Sequence, residues 1–463
     1  MFPSVDDTPL RQLIDFGRDP LEYLRKAEAR HGDHFIGRFL GDRPRLWVSN
    51  PESIAQVLAL PRDAYVHAND IPLNVGERSV LFADGPRHLE DRRRLSGPFR
   101  GERMREYGPL ILDAARTSYR QLVPGARLEM RAVFQEMALD VILRCIFGVD
   151  SAASLDRLRV ALGAWLDASL SPGWFIAGNL LRAGRVRRFL DRAVERARRR
   201  RSRRRLLPWD RAVQAKVEVD ARILEESARC RAAPGDRVDI LAQIIGSGDG
   251  HDDDDAYLLG TLLTLLVGGH ETTANSLCWT LYHLLPRAED VARVRAEIDA
   301  AFGAGPIDPR RIGELVYLDA VVKEAARLNP TSLGIARVPT RPLVLGGHAV
   351  PEGLCVNLAN SLAQRRPDHW ADPDVFRPER FLAGAPPRGA YFPFGGGARL
   401  CIGQPFADYE MRVALAELLA HHPLRRDPDA DERPVMKGIS LAPTSGLRVI
   451  VEPPPAGRAA SPA

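Results

Sequence analysis

The sequence predicts a mainly α fold with small accessory β-sheets, an α+β architecture in one domain over 1–463. Three observations lead to it. Apolar residues recur at helical spacing through most of the chain after Pro51, and strict alternation is confined to short stretches. A composition of 45% hydrophobic and 27% charged residues is ordinary for a globular protein, and 463 residues can bury a sizeable core. The ordered part is expected over about 20–451, with 452–463, EPPPAGRAASPA, a flexible tail.

Along the chain, the first turns carry Asp6, Asp7, Arg11 and Asp15, so no apolar run of signal-peptide or anchor length is expected there. Residues 34–49 alternate around Gly41-Asp42, which predicts a strand pair. Helices follow at roughly 102–123, 128–148, 152–168, 184–205, 255–285 and 288–302. Residues 342–357 return to short strands punctuated by Gly346-Gly347 and Pro351, and a last helix follows Cys401. The apolar run 257–269 is interrupted by His270, Glu271, Thr272 and Thr273 before about 18 apolar residues accumulate, so it reads as a buried helix. Asp252 to Asp255, just ahead of it, suit a helix N-terminus.

Charge narrows the partners. The 65 basic and 60 acidic residues make a mixed surface despite a pI near 9.0, which weighs against nucleic acid. The arginine run at 196–205 reads as a solvated helix face or partner patch. Cys145, Cys230, Cys278, Cys355 and Cys401 are odd in number and widely spaced, with no CxxC, so neither a disulfide framework nor a zinc site is indicated and a reducing cytoplasm is expected.

The chemistry centres on FGGGARLCIG, 394–403, a glycine-rich loop that feeds a helix. A metal-bound thiolate needs backbone N–H groups aimed at sulfur; Gly395, Gly396, Gly397 and Gly403 permit that approach, and the helix N-terminus favours the anion. A second element, LDAVVKEAARLNP at 318–330, sets Glu324 and Arg327 three apart on one helix face. A third, GGHETT at 268–273, places two glycines inside an apolar helix at a cost of roughly 1 kcal/mol each, either for close helix packing or for a groove.

These segments resemble the cytochrome P450 family, whose heme-binding signature is matched by Phe394, Gly397, Arg399, Cys401 and Gly403. The resemblance runs from about 20 to 451 and implies the P450 fold, with heme b between the long central helix and the Cys-loop helix and Cys401 as the iron ligand. It implies a structural role for Glu324 and Arg327, joined by Arg380 of FRPERF. It makes Gly268, Gly269, Glu271 and Thr272 the groove and proton relay for dioxygen, since splitting the O–O bond needs delivered protons. His88, Arg92, Arg337 and Arg399 align as partners of the heme propionates.

By the same resemblance Leu265, Gly268, Leu333, Ile335, Ile439 and Leu441 form the substrate pocket, and the implied activity is monooxygenation of a hydrophobic fatty-acid, terpenoid, steroid-like or polyketide molecule. Over 463 residues matched to one such domain, no room for a fused flavin reductase is expected. NAD(P)H electrons are therefore expected through a ferredoxin and ferredoxin reductase, or a flavodoxin, docking on Arg92, Arg93, Arg94 and Arg100. A peroxygenase, an isomerase or dehydratase, and a non-catalytic heme sensor are the alternatives; the intact Glu271-Thr272 pair weighs against them.

Overall fold

The computed structural model describes residues 2–68, 73–99, 101–148, 152–169, 173, 177–178, 181–200, 207, 209–233, 237, 239–246 and 254–453. Prolines and short polar side chains set the first helices. Thr8, Asp19 and Asn50 cap Pro9–Arg18, Pro20–His31 and Pro51–Leu58, each accepting a backbone N–H three residues on, with proline at the helix start, where its missing N–H is not needed.

Twelve short strands occur among the described residues: β1 His34–Gly37, β2 Arg45–Val48, β3 Tyr65–Val66, β4 Arg127–Glu129, β5 Ile335–Pro339, β6 Leu343–Leu345, β7 His348–Val350, β8 Cys355–Leu358, β9 Leu424–Arg426, β10 Pro434–Lys437, β11 Ser440–Pro443 and β12 Arg448–Val451. The predicted pair at 34–49 is β1–β2, antiparallel with His34 opposite Val48, and Gly41 between them has φ 81°. The main sheet runs β1-β2-β8-β5-β3, in which only β2 and β8 are parallel; β4-β12-β9 form a second sheet, and β6–β7 and β10–β11 are hairpins.

Helix dominates, with instructive departures from the predicted spans. The stretch 102–123 divides into Glu102–Glu106 and Gly108–Tyr119, because Pro109 lacks the N–H a continuous helix would use. Gly108 is close-packed as well: a Cβ there would sit 2.3 Å from the Tyr409 hydroxyl. Residues 127–129 are strand, and the helix begins at Met130. The arginine-rich helix is Ala183–Arg200; 201–205 lie outside the described residues. Asp210–Ala232, 23 residues long, escaped the periodicity reading because charged residues interrupt its buried stripe of Val213, Val219, Ile223 and Cys230.

The central helix, Asp255–Leu284, runs 30 residues from a cap by the Asp254 side chain. It packs against Met130–Phe147, Val316–Leu328 and Gln404–His421, and one apolar cluster joins all four. No helix among the described residues is long and apolar enough to cross a membrane.

Candidate functional site

Cys401 is exposed, whereas Cys145, Cys230, Cys278 and Cys355 are buried. The loop that carries it turns on Gly395 and Gly397, with φ of 77° and 65°, and the Cys401 amide donates to the Phe394 carbonyl at 2.9 Å. A Cβ at Gly397 would stand 2.0 Å from the Leu58 carbonyl oxygen, so both the conformation and the space there demand glycine. A Cβ at Gly403 would meet no protein atom within 4 Å; protein packing does not require glycine there. Solvent reaches Cys401, but the protein atoms crowded around its sulfur partly desolvate it and push the thiol pKa up, while N–H groups of Gly403 and Gln404 and the Arg92 charge pull it down. A cation at the sulfur would tip that balance to the thiolate.

Behind the loop, Glu324 and Arg327 form a bidentate pair at 2.7 and 2.8 Å with no exposed surface. Arg380 Nε adds a third contact to Glu324 at 3.2 Å. Arg327 also donates to the carbonyls of Gln364 and Pro373, both at 2.8 Å, and lies over the Trp370 ring. The Gln364 amide spans Arg327 O and the Phe392 N–H, two residues before Phe394. The ion-pair helix is thus tied to the base of the Cys loop by directed hydrogen bonds.

On the central helix the two glycines differ. A Cβ at Gly269 would collide with Ile142 Cδ1 at 2.4 Å, so this glycine permits close packing against Met130–Phe147. Gly268 is exposed and a Cβ there would meet nothing within 4 Å, a notch open to one side of an otherwise buried helix. Thr272 Oγ donates to the Gly268 carbonyl across that notch. Glu271 is turned inward. Its Oε1 takes Arg131 at 3.2 Å, its carboxylate abuts Gly438, and burial raises its pKa against the lowering effect of Arg131. Arg131 also bonds Asn275, whose amide donates to Ser440, so helix, neighbouring helix and the β10–β11 turn share one polar network.

Cations converge beside the loop. Arg399 pairs with Asp84, and Arg92 donates to the Leu400 carbonyl at 2.5 Å. Arg337, on β5, is buried, and its Nη2, like Arg62 Nη1, has no hydrogen-bond partner. Burial first, then Arg399, Arg92, Arg62 and Arg337, push the His88 pKa down to about 3; burial, Arg399 and Arg337 do the same to His67. This crowd of positive charge, with buried N–H groups unanswered, fits a dianionic group such as two propionates. Arg62 and His67 were missed from sequence because nothing in PRDAYVHAND marks them.

The apolar positions divide. Ile335 touches the loop, its Cδ1 lying 3.1 Å from a Cβ position at Gly395; Ile439 is half-buried against the main cluster, which includes Leu265. Leu333 and Leu441 sit in a separate core with Tyr23, Trp47 and Trp279. Of the candidate docking cations, Arg93 is exposed, Arg94 is tucked onto Glu90 and the Tyr257 ring, and Arg100 lies outside the described residues. Two surface cavities of about 440 and 570 Å³ lie elsewhere, lined by residues such as Phe2, His31 and His348, and Arg25, Arg365 and Asp374.

Comparison with known proteins agrees with this geometry. The family model for cytochrome P450 matches residues 10–451. A Mycobacterium tuberculosis protein provisionally named cytochrome P450 137 is 29% identical over 409 residues, 85% of this chain and 79% of that one. One from Mycobacterium bovis, provisionally named cytochrome P450 135B1, is 29% identical over 449 residues, covering 95% and 89%. The solved structure of retinoic acid bound cyanobacterial CYP120A1 superposes with a TM-score of 0.79 at 20% identity, over 98% of this chain and 99% of that one. A family match of that extent, on a chain folded the same way end to end, means that this protein belongs to the cytochrome P450 family of heme-thiolate monooxygenases.

Proposed function

We propose that this P450 inserts one atom of dioxygen into a C–H or C=C bond of a hydrophobic small molecule of the fatty-acid, terpenoid, steroid-like or polyketide class. NAD(P)H supplies the electrons through a separate ferredoxin and its reductase, or a flavodoxin, in the cytoplasm. The observation that carries the reading is Cys401, the exposed thiol among five, on a glycine loop feeding a helix N-terminus.

Cys401 would hold the iron of heme b, and His88, Arg92, Arg337, Arg399 and the added Arg62 its propionates; the heme supplies the oxidising chemistry. The chain's own residues do the rest. N–H groups of Gly403 and Gln404 stabilise negative charge on sulfur. The Gly268 notch leaves room beside the Thr272 hydroxyl, which can give up a proton once its bond to the Gly268 carbonyl is exchanged. Glu271, its pKa raised by burial, can hold a proton for delivery when it leaves Arg131. Leu265, Ile335 and Ile439 supply apolar surface.

The test is turnover of apolar candidates with ferredoxin, its reductase, NADPH and isotopically labelled dioxygen. Label in the product and its loss to peroxide in Thr272→Ala are expected. Turnover with peroxide but none with NADPH, carriers and dioxygen, or unlabelled product, would overturn the reading.

A further inference from the structure

The charge of this chain is concentrated in one place. Twelve arginines and two acids fall within 183–205, so the remainder of the chain is acidic by five charges although the whole is +5. On the described part, the helix Ala183–Arg200, the apolar residues Val186, Leu190 and Val194 turn inward against Val213. Arg187 also turns inward, stacked 3.6 Å over the Phe82 ring, and Arg198 pairs with Asp220 of the neighbouring helix. The outward face is then a stripe at helical spacing: Arg185, Arg188, Arg192, Arg196 and Arg199, all exposed. Arg199 pairs with Glu195; none of the other four makes an ion pair with a described residue. Exposed apolar side chains occur on the same helix and close to its two ends in the sequence, with Leu181 61%, Phe189 44% and Leu207 50% exposed, among exposed Arg182, Glu195 and Arg198; Phe189 meets Trp209 edge-on.

We infer that this face docks on the anionic surface of a lipid bilayer. Like-charged guanidinium groups on one face, four of them without an ion-pair partner among the described residues, repel one another, and an anionic surface relieves that repulsion; the exposed Phe189 and Leu side chains add burial at the headgroup boundary, which a nucleic acid backbone does not offer. The helix touches Phe82, which packs edge-on against His67 beside the Arg399 and Arg337 cluster, so the docked face lies over the same flank as the candidate site. Docking itself does not depend on heme or turnover.

The experiment is co-sedimentation of the full-length holoenzyme with vesicles of phosphatidylglycerol in phosphatidylcholine, against phosphatidylcholine alone. Binding only to the anionic vesicles, reversed by high salt, is expected. Arg185→Gln/Arg188→Gln/Arg192→Gln/Arg196→Gln, with unchanged circular dichroism and heme content, should weaken partitioning by at least about a hundredfold, at roughly fivefold per cation. No binding to anionic vesicles at low salt, undiminished binding by the quadruple variant, or preferential capture by duplex DNA in competition would each overturn the inference. Failure of the monooxygenase reading would leave this result untouched.

Discussion

Replacing Glu324 by Gln keeps the side-chain volume and the helix, but turns two guanidinium groups toward a neutral amide where they had shared a carboxylate. Losing one partner of a buried pair costs about 3–5 kcal/mol. Arg327 would keep the carbonyls of Gln364 and Pro373, and Arg380 that of Asp372, which places the loss near the lower end, about 3 kcal/mol. That is a large part of the roughly 5–15 kcal/mol by which folded chains are stable, and raises the locally open population on the order of a hundredfold. A chain of this length need not unfold in one step, so the measurement is native-state hydrogen exchange resolved to 324–328 and 372–381. Exchange faster by about that factor in both segments is expected. Wild-type rates there would refute the role given to the pair. Asp15→Asn, which removes the exposed Arg11 pair, serves as the contrast and should cost under about 0.5 kcal/mol.

Other changes separate the two glycines and one buried acid. Gly268→Ala should raise stability by about 0.5–1 kcal/mol, since its Cβ meets nothing, while lowering turnover by filling the notch; urea midpoints and product yield check both halves. Gly269→Ala should instead cost about 1–3 kcal/mol through Ile142, and Ile142→Val, which removes the clashing Cδ1, should restore most of it. Glu410 is fully buried, its Oε1 is unpartnered, and burial alone holds its pKa well above 4.5. The folded state then keeps a proton that the unfolded chain sheds above about pH 4.5, so stability falls as pH rises from there toward the folded pKa. Glu410→Gln mimics the protonated form, and its stability advantage over wild type should grow from acidic to mildly alkaline pH. A pH-independent difference in urea midpoints would contradict this.

What was legible in the sequence was what is contiguous. The Cys loop, the Glu324–Arg327 spacing and the glycine pair each lie within a few residues, so their local geometry follows from chain connectivity. Their partners do not. Arg131 stands 140 residues from Glu271, and Ser440 stands 165 from Asn275; nothing in either segment announces the pairing. The reason for Gly269 is Ile142, visible only when two helices cross. Leu333 and Leu441 show the limit of apolarity as a signal, because hydrophobic residues line pockets and fill cores alike, and these two pack with Tyr23 and Trp279. The helix at 210–232 was lost to the charges along it, including buried Lys216 and Asp220, which satisfy each other at 2.5 Å inside the helix pair.

The central claim is that Cys401 ligates heme iron as a thiolate. The most direct measurement is the difference spectrum of the dithionite-reduced protein with and without carbon monoxide, for wild type and Cys401→Ser at matched heme content. The account predicts the red-shifted Soret band of a thiolate-ligated ferrous carbonyl in wild type and its absence in the variant. A wild-type spectrum without that band in well-folded, heme-loaded protein, or a variant that retains it, would contradict the assignment.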